Sequence, residues 1–66
     1  MKIQVNGQER ELADGVTVTQ LLETLQIQPE RVVVEPNLAI LKRAQHPATS
    51  LKAGDQVEIV QFVGGG

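Results

Sequence analysis

Val18, Leu21, Leu22 and Leu25 recur at i, i+3, i+4 and i+7, which draws a single apolar stripe along one helical face. The start of that helix is written in side chains. Thr17 followed three residues later by Gln20 makes a Thr-x-x-Gln capping box, and Val16 with Leu21 fits a hydrophobic staple. Glu23 and Gln26 take the other side, and Pro29 stops the helix before Glu30. A lone helix with one apolar stripe covers one face of one sheet. The chain therefore needs strands on both sides of this segment, and the expected class is a two-layer α+β domain.

The flanking sequence supplies those strands. Lys2-Ile3-Gln4-Val5 alternates polar and apolar, the period of a half-buried strand. Asn6-Gly7 follows, and both residues tolerate the positive φ of a tight hairpin turn. A two-residue turn sets Val5 opposite Gln8 and Ile3 opposite Arg10, so Arg10 falls on the apolar face with Leu12. Its aliphatic stem would lie along that face while the guanidinium reaches water. Asp14-Gly15 ends the return strand. After the helix, Arg31-Val32-Val33-Val34-Glu35 is β-branched and nearly continuous, as a covered strand requires. Pro36-Asn37 reads as a turn, Leu38–Lys42 as a short return strand, and Lys42 to Ser50 as a polar surface loop. His46 lies in that loop with no Cys, Asp or second His beside it, so it reads as a solvated residue and not as a base or ligand. Lys52-Ala53-Gly54-Asp55 turns the chain into the last strand.

At 66 residues the chain is one small domain, of a size that buries only about 60% of its unfolded surface. It has no cysteine, which excludes a disulfide framework, a thiolate metal cluster, a cysteine nucleophile and a persulfide. Six basic and eight acidic residues are scattered, and Phe62 is the one aromatic, so the basic stripe and stacking platform of a nucleic-acid binder are missing. No apolar run approaches the roughly 20 residues of a membrane span, and no basic segment followed by an apolar core opens the chain. A cytoplasmic, non-membrane domain is the expectation. The glutamates at 9, 11, 23, 30, 35 and 58 are spread along polar positions, as on a solvated face. Neither a Ser-His-Asp set, a phosphate-binding glycine loop nor a metal-ligand spacing is present. The chain does not read as an enzyme.

What remains is the end, Asp55-Gln56-Val57-Glu58-Ile59-Val60-Gln61-Phe62-Val63-Gly64-Gly65-Gly66. By parity Val57 and Ile59 face the helix, while Glu58, Val60 and Phe62 point away. An apolar Val60–Phe62 pair on the outer face is a candidate partner surface. If parity slips or a loop covers the pair, Phe62 is core instead, and the sequence leaves both readings open. Residues 1–62 form the domain and residues 63–66 a glycine tail. Three terminal glycines alone suit a frayed terminus or a cloning leftover. They also suit threading, because without Cβ atoms another backbone can approach closely. Extended, Val63 to Gly66 reaches roughly 13 Å. A terminal carboxyl with a pKa near ~3.5 is ionised and a poor electrophile, so it needs activation by machinery this chain lacks.

The Asn6-Gly7 hairpin, the helix opening Thr17-Val18-Thr19-Gln20-Leu21-Leu22, the valine-rich third strand and the ending Gly54-Asp55-Gln56-Val57-Glu58-Ile59-Val60-Gln61-Phe62-Val63-Gly64-Gly65-Gly66 together resemble the ThiS family of thiamine-biosynthesis sulfur carriers. The resemblance covers essentially the whole chain, and its ending is the most specific part. It implies a β-grasp, ubiquitin-like fold: a mixed sheet of four to five strands on one main α-helix. It implies that a ThiF-type adenylyltransferase uses ATP and Mg2+ to adenylate the Gly66 carboxylate, while this chain binds no cofactor or metal of its own. Sulfur relayed from a cysteine desulfurase would convert Gly66 to a thiocarboxylate, and thiazole synthase (ThiG) would accept it. Gly64 and Gly65 would present the reactive end, and Val60, Phe62 and Val63 would contact partners. One departure is Pro36-Asn37-Leu38, which stands where an Asn-Gly turn is common in the family and bears on the hairpin there. A bare Gly-Gly ending also fits a molybdopterin-type sulfur carrier or a ubiquitin-like modifier, and an inert-tailed interaction domain is the third alternative.

Overall fold

The computed structural model describes Met1–Gln61. Phe62 and the glycine tail, with the expected boundary between residues 62 and 63, lie outside the described residues. Strand β1 (Lys2–Val5) and strand β2 (Gln8–Glu11) form the first hairpin. Asn6 and Gly7 both take positive φ, 51° and 78°, as a two-residue turn between right-twisted strands demands. That turn fixes the register: Val5 pairs with Gln8 and Ile3 with Arg10. Ile3 and Val5 are buried, whereas every residue of β2 is exposed. β2 is an edge strand, and the charges of Glu9, Arg10 and Glu11 discourage pairing with another chain.

Helix α1 (Val18–Thr24) begins on the capping box. The Gln20 N–H donates to Thr17 Oγ1 at 3.2 Å, and the Thr17 N–H donates to Gln20 Oε1 at 2.9 Å. Val18, Leu21 and Leu22 are fully buried, and Val16 and Leu25 pack against the same core. The helix ends five residues before Pro29, earlier than the proline alone requires. Gln26 adopts φ 59°, its N–H donates to the Glu23 carbonyl, and the Ile27 N–H donates to the Leu22 carbonyl. This is a Schellman ending built on glutamine where glycine is usual. Pro29 instead opens a 3-10 turn, Pro29–Arg31, that leads into the next strand.

Strand β3 (Val32–Pro36) pairs antiparallel with strand β4 (Gln56–Gln61), and β4 pairs parallel with β1, so the sheet order is β2-β1-β4-β3. Parity along β3 and β4 separates two faces. Val32, Val34, Val57 and Ile59 face α1 and join Ile3, Val5 and Leu51 in the core. Val33, Glu35, Glu58 and Val60 share the opposite face. The mixed four-stranded sheet under one main helix is a β-grasp fold.

Two expectations are corrected. Leu38–Lys42 forms no full fifth strand: its tie to the sheet is one bridge, with the Leu41 N–H donating to the Val34 carbonyl at 2.9 Å. Leu38 and Ile40 are 82% and 73% exposed, so burial does not hold this segment as a strand. The turn before it is formed all the same, with Asn37 and Leu38 at φ 51° and 73°, so leucine occupies a left-handed position that glycine fills at lower strain. His46 is also not a solvated loop residue. The segment Arg43–Ala48 winds into a 3-10 helix against α1 and leaves His46 only 3% exposed.

Candidate functional site

Strand β4 carries the chain towards Phe62 and the glycines, so the geometry that bears on the tail is the geometry of its last residues. Val60 is 50% exposed and sits opposite the half-buried Val33 on the outer face. Next to this pair, Glu35 and Glu58 lie directly opposite each other. Like charges in facing positions oppose strand pairing, by a few tenths of a kcal/mol to ~1 kcal/mol. The outer face at this end is thus a small apolar spot beside a concentrated negative charge. Phe62, Val63, Gly64, Gly65 and Gly66 lie outside the described residues.

The end of β4 is fastened on both sides. On one side the ladder with β3 runs through Val33–Val60 to Val32–Gln61. On the other, the backbone ladder with β1 ends at Val5–Val57, where β1 turns away into its hairpin. There the Asn6 side chain takes over. The Ile59 N–H donates to Asn6 Oδ1 at 2.7 Å, and Asn6 Nδ2 donates to the Ile59 carbonyl at 3.2 Å. Sequence reasoning uses Asn6 only for its positive φ. Its second role joins residues 53 apart, and no local pattern marks it.

On the helix side, a shallow groove beside Gln61 is lined by Leu25, Ile27, Val32 and Ile59, with Arg10 across it. Arg10 is exposed on the uncovered edge strand, so the charge that looked misplaced on an apolar face reaches water. Among the described residues no group of three His, Cys, Asp or Glu side chains gathers to hold a metal ion. His46 belongs to the opposite end of α1, where the strap it sits on is tied down by the Val18 N–H donating to the Thr49 carbonyl. Its Nδ1 is buried without a hydrogen-bond partner among the described residues, and burial lowers its pKa.

The sequence profile described as the ThiS family matches residues 3–66. The chain belongs to the ThiS family. A crystal structure of the thiamine biosynthesis protein ThiS from Geobacter metallireducens superimposes with a TM-score of 0.87 at 42% identity, covering 100% of both chains. The sulfur carrier protein ThiS of Bacillus subtilis is 35% identical over 65 residues, 97% of this chain and 98% of its own. A thiazole synthase of Magnetococcus marinus is 42% identical over all 66 residues, but that match takes up only 20% of its length. The chain therefore spans about a fifth of the thiazole synthases it matches. ThiS membership accounts for the β-grasp frame and for the hairpin, helix opening and final strand that build it.

Proposed function

We propose that this ThiS-family chain is a sulfur carrier of thiamine biosynthesis, a protein cosubstrate whose working group is the Gly66 carboxylate. The observation that carries the reading is the family match, which runs through the glycines to residue 66. A ThiF-type adenylyltransferase supplies the activation. A carboxylate oxygen of Gly66 attacks the α-phosphorus of ATP, with Mg2+ on the phosphates, and pyrophosphate leaves. The terminal sulfur of a persulfide on a cysteine-desulfurase relay then attacks the acyl carbon of the adenylate and AMP departs; a thiol reductant cleaves the resulting acyl disulfide, which releases the thiocarboxylate and leaves a disulfide on the relay side. Gly64 and Gly65 let the end enter a narrow active site, and Val60, Phe62 and Val63 contact the enzyme that holds it. A partner surface with an apolar centre and a basic rim would also relieve the facing charges of Glu35 and Glu58. We assign the reaction to the cytoplasm, where ATP and a desulfurase relay are both at hand.

The sulfur acceptor we assign is thiazole synthase (ThiG). Two relatives named thiazole synthase contain a stretch similar to this whole chain, and such a joining suits carrier and acceptor that act on each other. Intact mass after incubation with ATP, Mg2+, a ThiF-type enzyme and a sulfur donor tests the proposal. The expected product is heavier by sulfur minus oxygen. Covalent adducts on lysines of other proteins would favour a ubiquitin-like modifier, and an unchanged mass beside a competent enzyme would contradict both.

A further inference from the structure

We infer that Asn6 is a positioning residue for the reaction at Gly66: its side-chain amide fastens β4 at Ile59, near the end of the strand that precedes the reactive residues. This rests on the proposed function above, and the clamp itself rests on geometry. A parallel strand beside β4 would offer one carbonyl and one N–H at the level of Ile59. Up to that point β1 does so through its backbone, with the Gln4 N–H donating to the Asp55 carbonyl and the Asn6 N–H to the Val57 carbonyl, both at 2.9 Å. Beyond it the chain turns at Gly7, and the Asn6 amide presents the missing pair, Oδ1 to the Ile59 N–H and Nδ2 to the Ile59 carbonyl. A carboxamide is the side chain that offers an acceptor and a donor side by side. The clamp sits at the third residue before Phe62. Its backbone is fixed in a turn where Asn6 and Gly7 both take positive φ, 51° and 78°.

A strand end held on both sides moves less than one held on one side only, so loss of the clamp would loosen the support that precedes the reactive end. Docking through Val60 would survive its loss, because Val60 keeps its pairing with Val33 in β3. The fraction of docked molecules with the carboxylate in place would fall. Loss of aim and loss of fold give opposite kinetic signatures here, because this chain is the substrate of the activating enzyme. A partly unfolded substrate lowers its own effective concentration and raises the apparent KM, whereas a badly aimed tail lowers kcat at saturation.

ATP–pyrophosphate exchange by a ThiF-type enzyme, with the full chain as acyl substrate, separates the two. Asn6→Gly keeps a residue suited to positive φ and deletes the clamp. Asn6→Asp keeps the acceptor for the Ile59 N–H and loses the donor. For Asn6→Gly the expected result is a roughly tenfold lower kcat with KM unchanged, the size of one or two net hydrogen bonds, and for Asn6→Asp a partial recovery. An unchanged kcat for Asn6→Gly, or a rise confined to KM, overturns the inference while leaving the proposed function standing. No exchange with the unsubstituted chain overturns the proposed function and this inference with it.

Discussion

His46 shows at the residue scale how burial converts an ordinary loop side chain into a stability element. Its ring is enclosed with Nδ1 unpaired among the described residues, and desolvation by burial is the largest influence lowering its pKa below the usual 6.5. A backbone hydrogen bond at Leu41 pulls the other way, and the Arg43 charge adds to the lowering. The sign follows from where protons bind. Above pH ~6.5 the ring is neutral in both folded and unfolded chains and contributes no pH dependence. Below that value the unfolded chain takes up a proton that the folded chain resists, so stability is lost as pH falls towards the lowered folded pKa. The urea midpoint should drop between pH 7 and pH 5, roughly the window in which histidine and not the carboxylates titrates. His46→Phe, which keeps an aromatic ring without the buried nitrogen, should flatten that slope. An equally steep slope in the variant would assign the pH dependence to other groups. Sequence could not show this burial, because nothing within a few residues of His46 encodes the packing of the strap on α1.

At the scale of elements, legibility follows how local the determining interaction is. The β1–β2 register was readable because a two-residue turn leaves one pairing available, and the start of α1 because both partners of its capping box lie within four residues. The end of α1 was not. Leu25 and Ile27 continue the apolar pattern and Pro29 is the first hard stop, yet the helix closes where Ile27 bonds back to Leu22. Gln26 bears the left-handed conformation there at φ 59°. Gln26→Gly should therefore raise stability by up to about 1 kcal/mol, the left-handed strain of an L-residue less the extra freedom glycine has when unfolded. Urea unfolding with an unchanged m-value would register the gain, and a loss of stability would mean that the Gln26 side chain contributes more than its strain costs. The supposed fifth strand fails for a related reason. Leu38–Lys42 has the composition of a strand, but only Leu41 finds an inward partner, and exposed apolar residues do not hold a strand by themselves.

For the molecule as a whole, we propose a division of labour between a frame and an end. Among the described residues the core gathers Ile3, Val18, Leu21, Leu22, Val34 and Val57 between one sheet face and one helix stripe. Its fold class was legible because a single stripe admits a single layer of strands, and the family resemblance because Gly54–Gly66 is distinctive over its full length. The Asn6–Ile59 clamp and the facing Glu35–Glu58 pair were hidden in the sheet pairing, which no spacing in the sequence reveals. The central claim is that the frame exists to present one carboxylate, and moving that carboxylate by a single residue tests it most directly. Deleting Gly66, or adding one residue after it, should leave the urea unfolding curve unchanged and abolish the sulfur-for-oxygen mass gain in the presence of ATP, a ThiF-type enzyme and a sulfur donor. Full loading of either variant would contradict the claim, and so would unfolding of the chain on loss of Gly66.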